Sequence, residues 1–71
     1  MAAVNGFDPQ RLRQARIDAG LTQSDLSLAS GIALRNITRW EHGRSEPRAK
    51  WLIRLAKTLE KPPDFFFPEV R

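Results

Sequence analysis

Glycines at positions 20, 31 and 43 and the paired prolines Pro62 and Pro63 cut this chain into segments of helical length. Each is a stop signal, because glycine takes up the left-handed backbone that ends a helix and proline lacks the amide that would continue one. The segments between them carry apolar residues at helical spacing. Asp8-Pro9 opens the first helix, with Phe7 placed to staple against Leu12; Leu12, Ala15, Arg16 and Ala19 then share one face up to the stop at Gly20. Thr22, three residues ahead of Asp25, forms a variant capping box, flanked by Leu21 and Leu26 at staple spacing. This second helix is expected to turn Leu26 and Ala29 inward and to stop at Ser30-Gly31. A third helix is predicted over residues 34–42, with Ile32 and Ile37 again at staple spacing. Ala33 stands at its cap position without a side-chain oxygen, a deficit of about 1 kcal/mol relative to serine or threonine. After a polar loop at residues 43–48, Trp51, Leu52, Leu55, Ala56 and Leu59 mark a fourth amphipathic helix, broken by the prolines near Lys61. Residues 64–67 are expected to form one last turn that folds phenylalanines back onto the core. No stretch alternates with period two for long enough to be a strand, so the predicted class is all-α: a compact bundle of four to five short helices.

At 71 residues the chain can enclose one core only, burying about 60% of its unfolded surface. The expected division is a flexible segment at residues 1–7, one domain at 8–67 and a tail at 68–71. Hydrophobic residues at 41% and charged residues at 28% are close to globular averages, so the chain is expected to fold. With no cysteine and one histidine, disulfide scaffolds, thiol nucleophiles and zinc fingers are excluded. The sequence has no spacing of Ser, Asp and His suggestive of a triad and no glycine-rich phosphate loop, so no enzyme, catalytic residue, metal or cofactor is expected. The longest apolar runs are far too short to span a bilayer and the start lacks the pattern of a signal peptide, which predicts a cytoplasmic protein with no membrane partner. Twelve Lys and Arg, nine of them Arg, against eight Asp and Glu give +4, which makes a polyanionic partner plausible.

Two short helices joined across Ser30-Gly31-Ile32, the second with a polar outer face, match a helix-turn-helix. From Thr22 to Gly43 the run TQSDLSLASGIALRNITRWEHG resembles the lambda-repressor-like, Cro/C1 or XRE family, in which a helix starting with TQ, a glycine turn and a helix ending in W-E-x-G recur. The resemblance extends upstream through RLRQARIDAGLTQ and downstream through Pro47, Leu52, Leu55, Ala56 and Leu59, covering residues 11–67. Two positions depart from the family pattern. Ser27 stands where alanine is usual and is expected to bond back to a carbonyl of its own helix. Ala33 stands where serine or threonine usually caps the recognition helix.

Helical geometry alone separates the third helix into two sides, with Ile37, Trp40 and Glu41 on one and Arg35, Arg39 and His42 on the other. The resemblance implies that its first turns meet base edges, nominating Leu34, Arg35, Thr38 and Arg39. Arginine forms a two-pronged contact to guanine, so a site containing G is expected. The resemblance also implies phosphate contacts from Thr22 and Gln23 at the start of the second helix, from Asn36 and His42, and from Arg44 and Ser45 in the following loop, with Arg48 a weaker candidate. Arg16 and Glu41 fall on inward faces, where an unpaired charge is expensive, so they are expected to pair as a structural bridge. Trp40 is expected in the core. Three successive phenylalanines cannot all face one small core, which predicts that one of Phe65, Phe66 and Phe67 is exposed.

The expected function is sequence-specific binding of duplex DNA by a transcriptional regulator of the repressor type. One small module offers limited contact area, so a homodimer on an inverted repeat is expected. The alternative is a protein-interaction module, such as an antitoxin or an adaptor to polymerase, because one fold serves several functions.

Overall fold

The computed structural model describes residues 6–68. It contains four α-helices, α1 (Pro9–Asp18), α2 (Gln23–Ser30), α3 (Leu34–Glu41) and α4 (Ala49–Leu59), followed by a single 3-10 turn at Pro63–Phe66. The expected N-terminal segment and C-terminal tail lie mostly outside the described residues.

The helix starts follow the predicted chemistry. Asp8 accepts from the Gln10 amide at 2.9 Å with Pro9 in the first turn of α1. At α2 both arms of the capping box are made: the Thr22 hydroxyl accepts from the Asp25 amide, and Asp25 accepts from the Thr22 amide, each at 3.0 Å. The Thr22 amide, and then its hydroxyl, hold the Asp25 carboxyl below the ordinary aspartate value of 3.8. A depressed folded-state value means that this contribution to stability is present above pH 3.8 and is lost as pH falls through the lower native value. Thermal melting of Asp25→Asn is therefore expected to depend less on pH below that point than melting of the parent chain. α3 starts without a side-chain cap. Ala33→Ser is expected to stabilise the domain by about 1 kcal/mol, read as a rise in the urea midpoint at unchanged slope.

Among the described residues eleven side chains form the core: Phe7, Leu12, Ala15, Leu26, Ile32, Ile37, Trp40, Leu55, Ala56, Leu59 and Phe66. α3 packs on α1 and α2, α4 packs on α2, and the last turn closes against α1 and α4. Phe7 is 1% exposed and stacks on Phe66 at 6.5 Å, while the Asp8 amide donates to the Phe66 carbonyl at 2.9 Å. These contacts clasp the first described residues to the last turn.

Five local expectations are corrected. Ala19 and Ala29 are exposed rather than inward, because Ala19 lies past the last residue of α1 and both face an open groove beside Leu59. Ser27 does not bond back within its own helix; its hydroxyl donates forward to the Ile32 carbonyl at 2.6 Å and so pins the turn between α2 and α3. α4 ends at Leu59, before the prolines, because Glu60 takes the left-handed conformation at φ 58°. None of the three phenylalanines is exposed. The 3-10 turn spreads them around the core edge, with Phe66 buried, Phe67 edge-on to Phe7 at 5.9 Å, and Phe65 edge-on to Phe66 beneath the Arg11 and Lys61 cations.

Candidate nucleic-acid interface

Gly31, at φ 74°, supplies the left-handed residue that turns the chain from α2 into α3. A side chain there would be strained in this backbone, and an added Cβ would also stand 3.4 Å from the Arg54 guanidinium. Leaving this turn, α3 sinks Ile37, Trp40 and Glu41 into the protein and presents Leu34, Arg35, Arg39 and His42 to solvent. Asn36 and Thr38 lie at the boundary between the two faces, half-buried. The division read from the 100° rotation per residue therefore holds along the whole helix.

Glu41 is a carboxylate near the carboxy-terminal end of its helix, where the backbone dipole disfavours negative charge. Arg16 offsets this. Its Nε donates to Glu41 Oε2 at 2.7 Å and its Nη2 to Oε1 at 3.1 Å, a two-pronged pair with the two side chains 11% and 3% exposed. The remaining arm, Nη1, donates to the Leu21 carbonyl at 2.9 Å and so fixes the link between α1 and α2. The expected ion pair is present and ties α1 to α3 and to the link before α2.

This network reaches the outer face. Gln23 Nε2 donates to Glu41 Oε1 at 3.0 Å, and the Thr38 hydroxyl donates to Gln23 Oε1 at 3.2 Å. Gln23, nominated for phosphate, and Thr38, nominated for a base edge, are thereby brought together. The Gln23 side chain is largely committed inside the protein, but the backbone amides of Gln23 and Ser24, in the first turn of α2, have no acceptor within their helix and suit an anion. The Thr22 hydroxyl is spent on the cap.

His42 follows α3 and its Nδ1 lies 2.8 Å from the Thr38 carbonyl. A carbonyl only accepts, so Nδ1 is the donor in this contact. The tether holds the imidazole to α3 beside Thr38. Arg44 is exposed just beyond, with its amide donating to the Arg39 carbonyl at 2.9 Å; Ser45 is half-buried, and Arg48 is exposed at the start of α4. Sequence reasoning did not find the Gln23 bridge or the His42 tether. The latter is an i to i+4 contact with a recognisable spacing, whereas the former depends on how two helices cross. Among the described residues there is no group of three His, Cys, Asp or Glu able to hold a metal. No described helix is long and apolar enough to cross a membrane.

Comparison with known proteins agrees with this geometry. A helix-turn-helix family model matches residues 12–66. The chain is 36% identical over 67 residues to an uncharacterized transcriptional regulator in the ATPase CF(0) region of Rhodospirillum rubrum, covering 94% of this chain and 62% of that protein. It is 30% identical over 67 residues to an uncharacterized helix-turn-helix transcriptional regulator of Sinorhizobium fredii, covering 94% of this chain and 47% of that protein. The chain thus spans about half to two-thirds of the length of these relatives. Among solved structures it is similar to the restriction-modification controller protein C.AhdI from Aeromonas hydrophila, with a TM-score of 0.78 at 30% identity over 83% of this chain and 89% of that one. It is likewise similar to the P22 c2 repressor solved with a synthetic operator, with a TM-score of 0.77 at 29% identity over 83% and 89% of the two chains. A glycine turn between two short helices, an outward basic stripe on the second, an inward Arg-Glu pair behind it and a family match across most of the chain agree: this protein belongs to the helix-turn-helix family, in its lambda-repressor-like form.

Proposed function

We propose that the chain is a sequence-specific duplex-DNA binder that regulates transcription, as a repressor, by seating α3 in the major groove. The observation that carries this reading is the two-sided α3, whose buried face is locked by the core and the Arg16–Glu41 pair while Arg35 and Arg39 stand free on the opposite side. In this reading Leu34, Arg35, Thr38 and Arg39 meet base edges. Guanine O6 and N7 accept from an arginine fork, and thymine methyl groups meet Leu34 or the Thr38 methyl. The first-turn amides of α2, with Asn36, His42, Arg44 and Ser45, hold the phosphates on either side of the groove and set the register. Gln23 acts from behind by orienting Thr38, a role that its two hydrogen bonds support.

Occupying an operator requires no chemistry of the protein itself; exclusion or recruitment of polymerase follows from where it sits. Two copies on half-sites one helical turn apart would double the contact area of this small module. The reading places the protein in the cytoplasm with the genome it regulates. Selection from a pool of random duplexes, followed by fluorescence anisotropy at two salt concentrations and sedimentation of the complex, tests it. The expected result is an inverted repeat containing G, bound by two chains, with affinity falling steeply in salt as roughly 6–10 phosphate contacts require. A folded chain that binds no duplex at low salt would overturn it.

A further inference from the structure

The outer side of α4 carries a second basic stripe. Its inward face is Leu55, Ala56 and Leu59, and opposite them Lys50, Ile53, Arg54 and Lys57 recur at the i, i+3, i+4, i+7 positions of one helical face, all exposed. The helix carries three cations and no carboxylate along its whole length. Ile53, in the middle of the charges, is 49% exposed. Two of the cations are held in place: Lys50 Nζ and the Arg54 guanidinium carbon stand 4.8 Å and 5.4 Å from the Trp51 ring centroid, and Arg54 Nη1 donates to the Ser30 carbonyl at 3.4 Å. Beside this stripe a groove of about 440 Å³ runs between α4 and the end of α2, floored by Ala29 and Ser30.

We propose that this stripe is a docking surface for an acidic amphipathic helix of a partner protein. Charge complementarity selects the occupant. Lys50 and Lys57 are seven residues apart, about 10 Å along the axis, so two turns of a partner helix present carboxylates to all three cations and one apolar side chain to Ile53 and the groove. Cations already restrained against Trp51 lose less freedom on binding than free lysines would. A duplex fits less well, since its phosphates offer nothing to Ile53. The stripe also lies at the carboxy-terminal end of α2, about 10 Å from the amino-terminal end where Gln23 touches α3. The proposal stands on α4 and is independent of what α3 binds.

The full-length chain is titrated with three labelled probes: an amphipathic peptide with glutamates on one helical face and leucines on the other, a scrambled peptide of the same composition, and a duplex oligonucleotide. The patterned peptide is expected to bind on the order of tenfold more tightly than the scrambled one, and to weaken with salt. Lys57→Glu, which disturbs neither Trp51 nor Ser30, and the combined Lys50→Gln, Arg54→Gln, Lys57→Gln variant are expected to lose that binding on the order of tenfold with duplex affinity unchanged. Ile53→Ser should weaken it several-fold. Circular dichroism melts establish that each variant is folded, and Lys57→Glu carries the test should the combined variant fail to fold. No binding of the patterned peptide, equal binding of the scrambled one, or an unchanged affinity in Lys57→Glu would overturn the proposal. So would an equal loss of duplex affinity in the folded variants, which would make the stripe a phosphate contact instead.

Discussion

Arg35→Ala and Arg39→Ala are each expected to erase most of the discrimination between operator and unrelated duplex while leaving thermal melting unchanged. Both side chains are exposed, and the packing of α3 rests instead on Ile37, Trp40 and Glu41. A two-pronged arginine contact to guanine is worth about 1–3 kcal/mol, so each substitution should weaken operator binding by roughly fivefold to 150-fold, with little effect on a scrambled duplex. Arg44→Ala makes the contrasting case. As a phosphate contact it should weaken both duplexes alike and lower the salt slope by about one. Fluorescence anisotropy on the two duplexes, with circular dichroism melts of each variant, separates the outcomes. Equal loss of stability in all three arginine variants would mean that these residues support the fold and do not read DNA.

Glu41→Ala is expected to have the opposite signature and the largest effect on stability. It leaves the Arg16 guanidinium, whose side chain is only 11% exposed, without its carboxylate, and removes the acceptor for Gln23 Nε2. Breaking one side of a buried pair typically costs about 3–5 kcal/mol. Against the total of about 5–15 kcal/mol that holds a small domain together, that is a substantial share. Urea unfolding should show a lower midpoint, and the Arg16→Ala, Glu41→Ala double variant should lose less than the sum of the singles, because each single already strands its partner. Additive losses would mean that the pair contributes nothing as a pair. Even where Glu41→Ala remains folded, Gln23 and Thr38 are released from their shared arrangement, so DNA affinity should also fall under folded conditions.

The helices were legible in the sequence because their ends are marked by local chemistry: the aspartate and proline before α1, the capping box of α2 and the glycines at three ends. The two faces of α3 were legible for the same reason, being a matter of rotation about one axis. The Arg16–Glu41 pairing could be anticipated because a charge on an inward face needs a partner, and there were two such charges of opposite sign. What escaped is what depends on neighbours. Ser27 reaches forward to Ile32 and not back along its helix, a choice made by the path of the turn. Glu60 takes a left-handed conformation that its residue type gives no reason to expect. The three phenylalanines all find cover because the 3-10 turn fans them out against Phe7, one another and two cations, which no periodicity in a run of identical residues could announce. Gln23 showed its position but not its bonds, because Thr38 and Glu41 reach it across a helix crossing.

The clasp between Phe7 and Phe66 has a mechanical consequence. Because the Asp8 amide bonds to the Phe66 carbonyl and the two rings stack, the described chain begins and ends at the same spot, where the last turn meets α1 and α4. A tension applied at the two ends is therefore borne first by that hydrogen bond and by the contacts of the Phe7 ring with Phe66 and Phe67, which peel apart one at a time. α2 and α3 carry no load until that clasp has opened. Whatever tugs on this domain from its ends strains the seam before it can disturb the recognition helix.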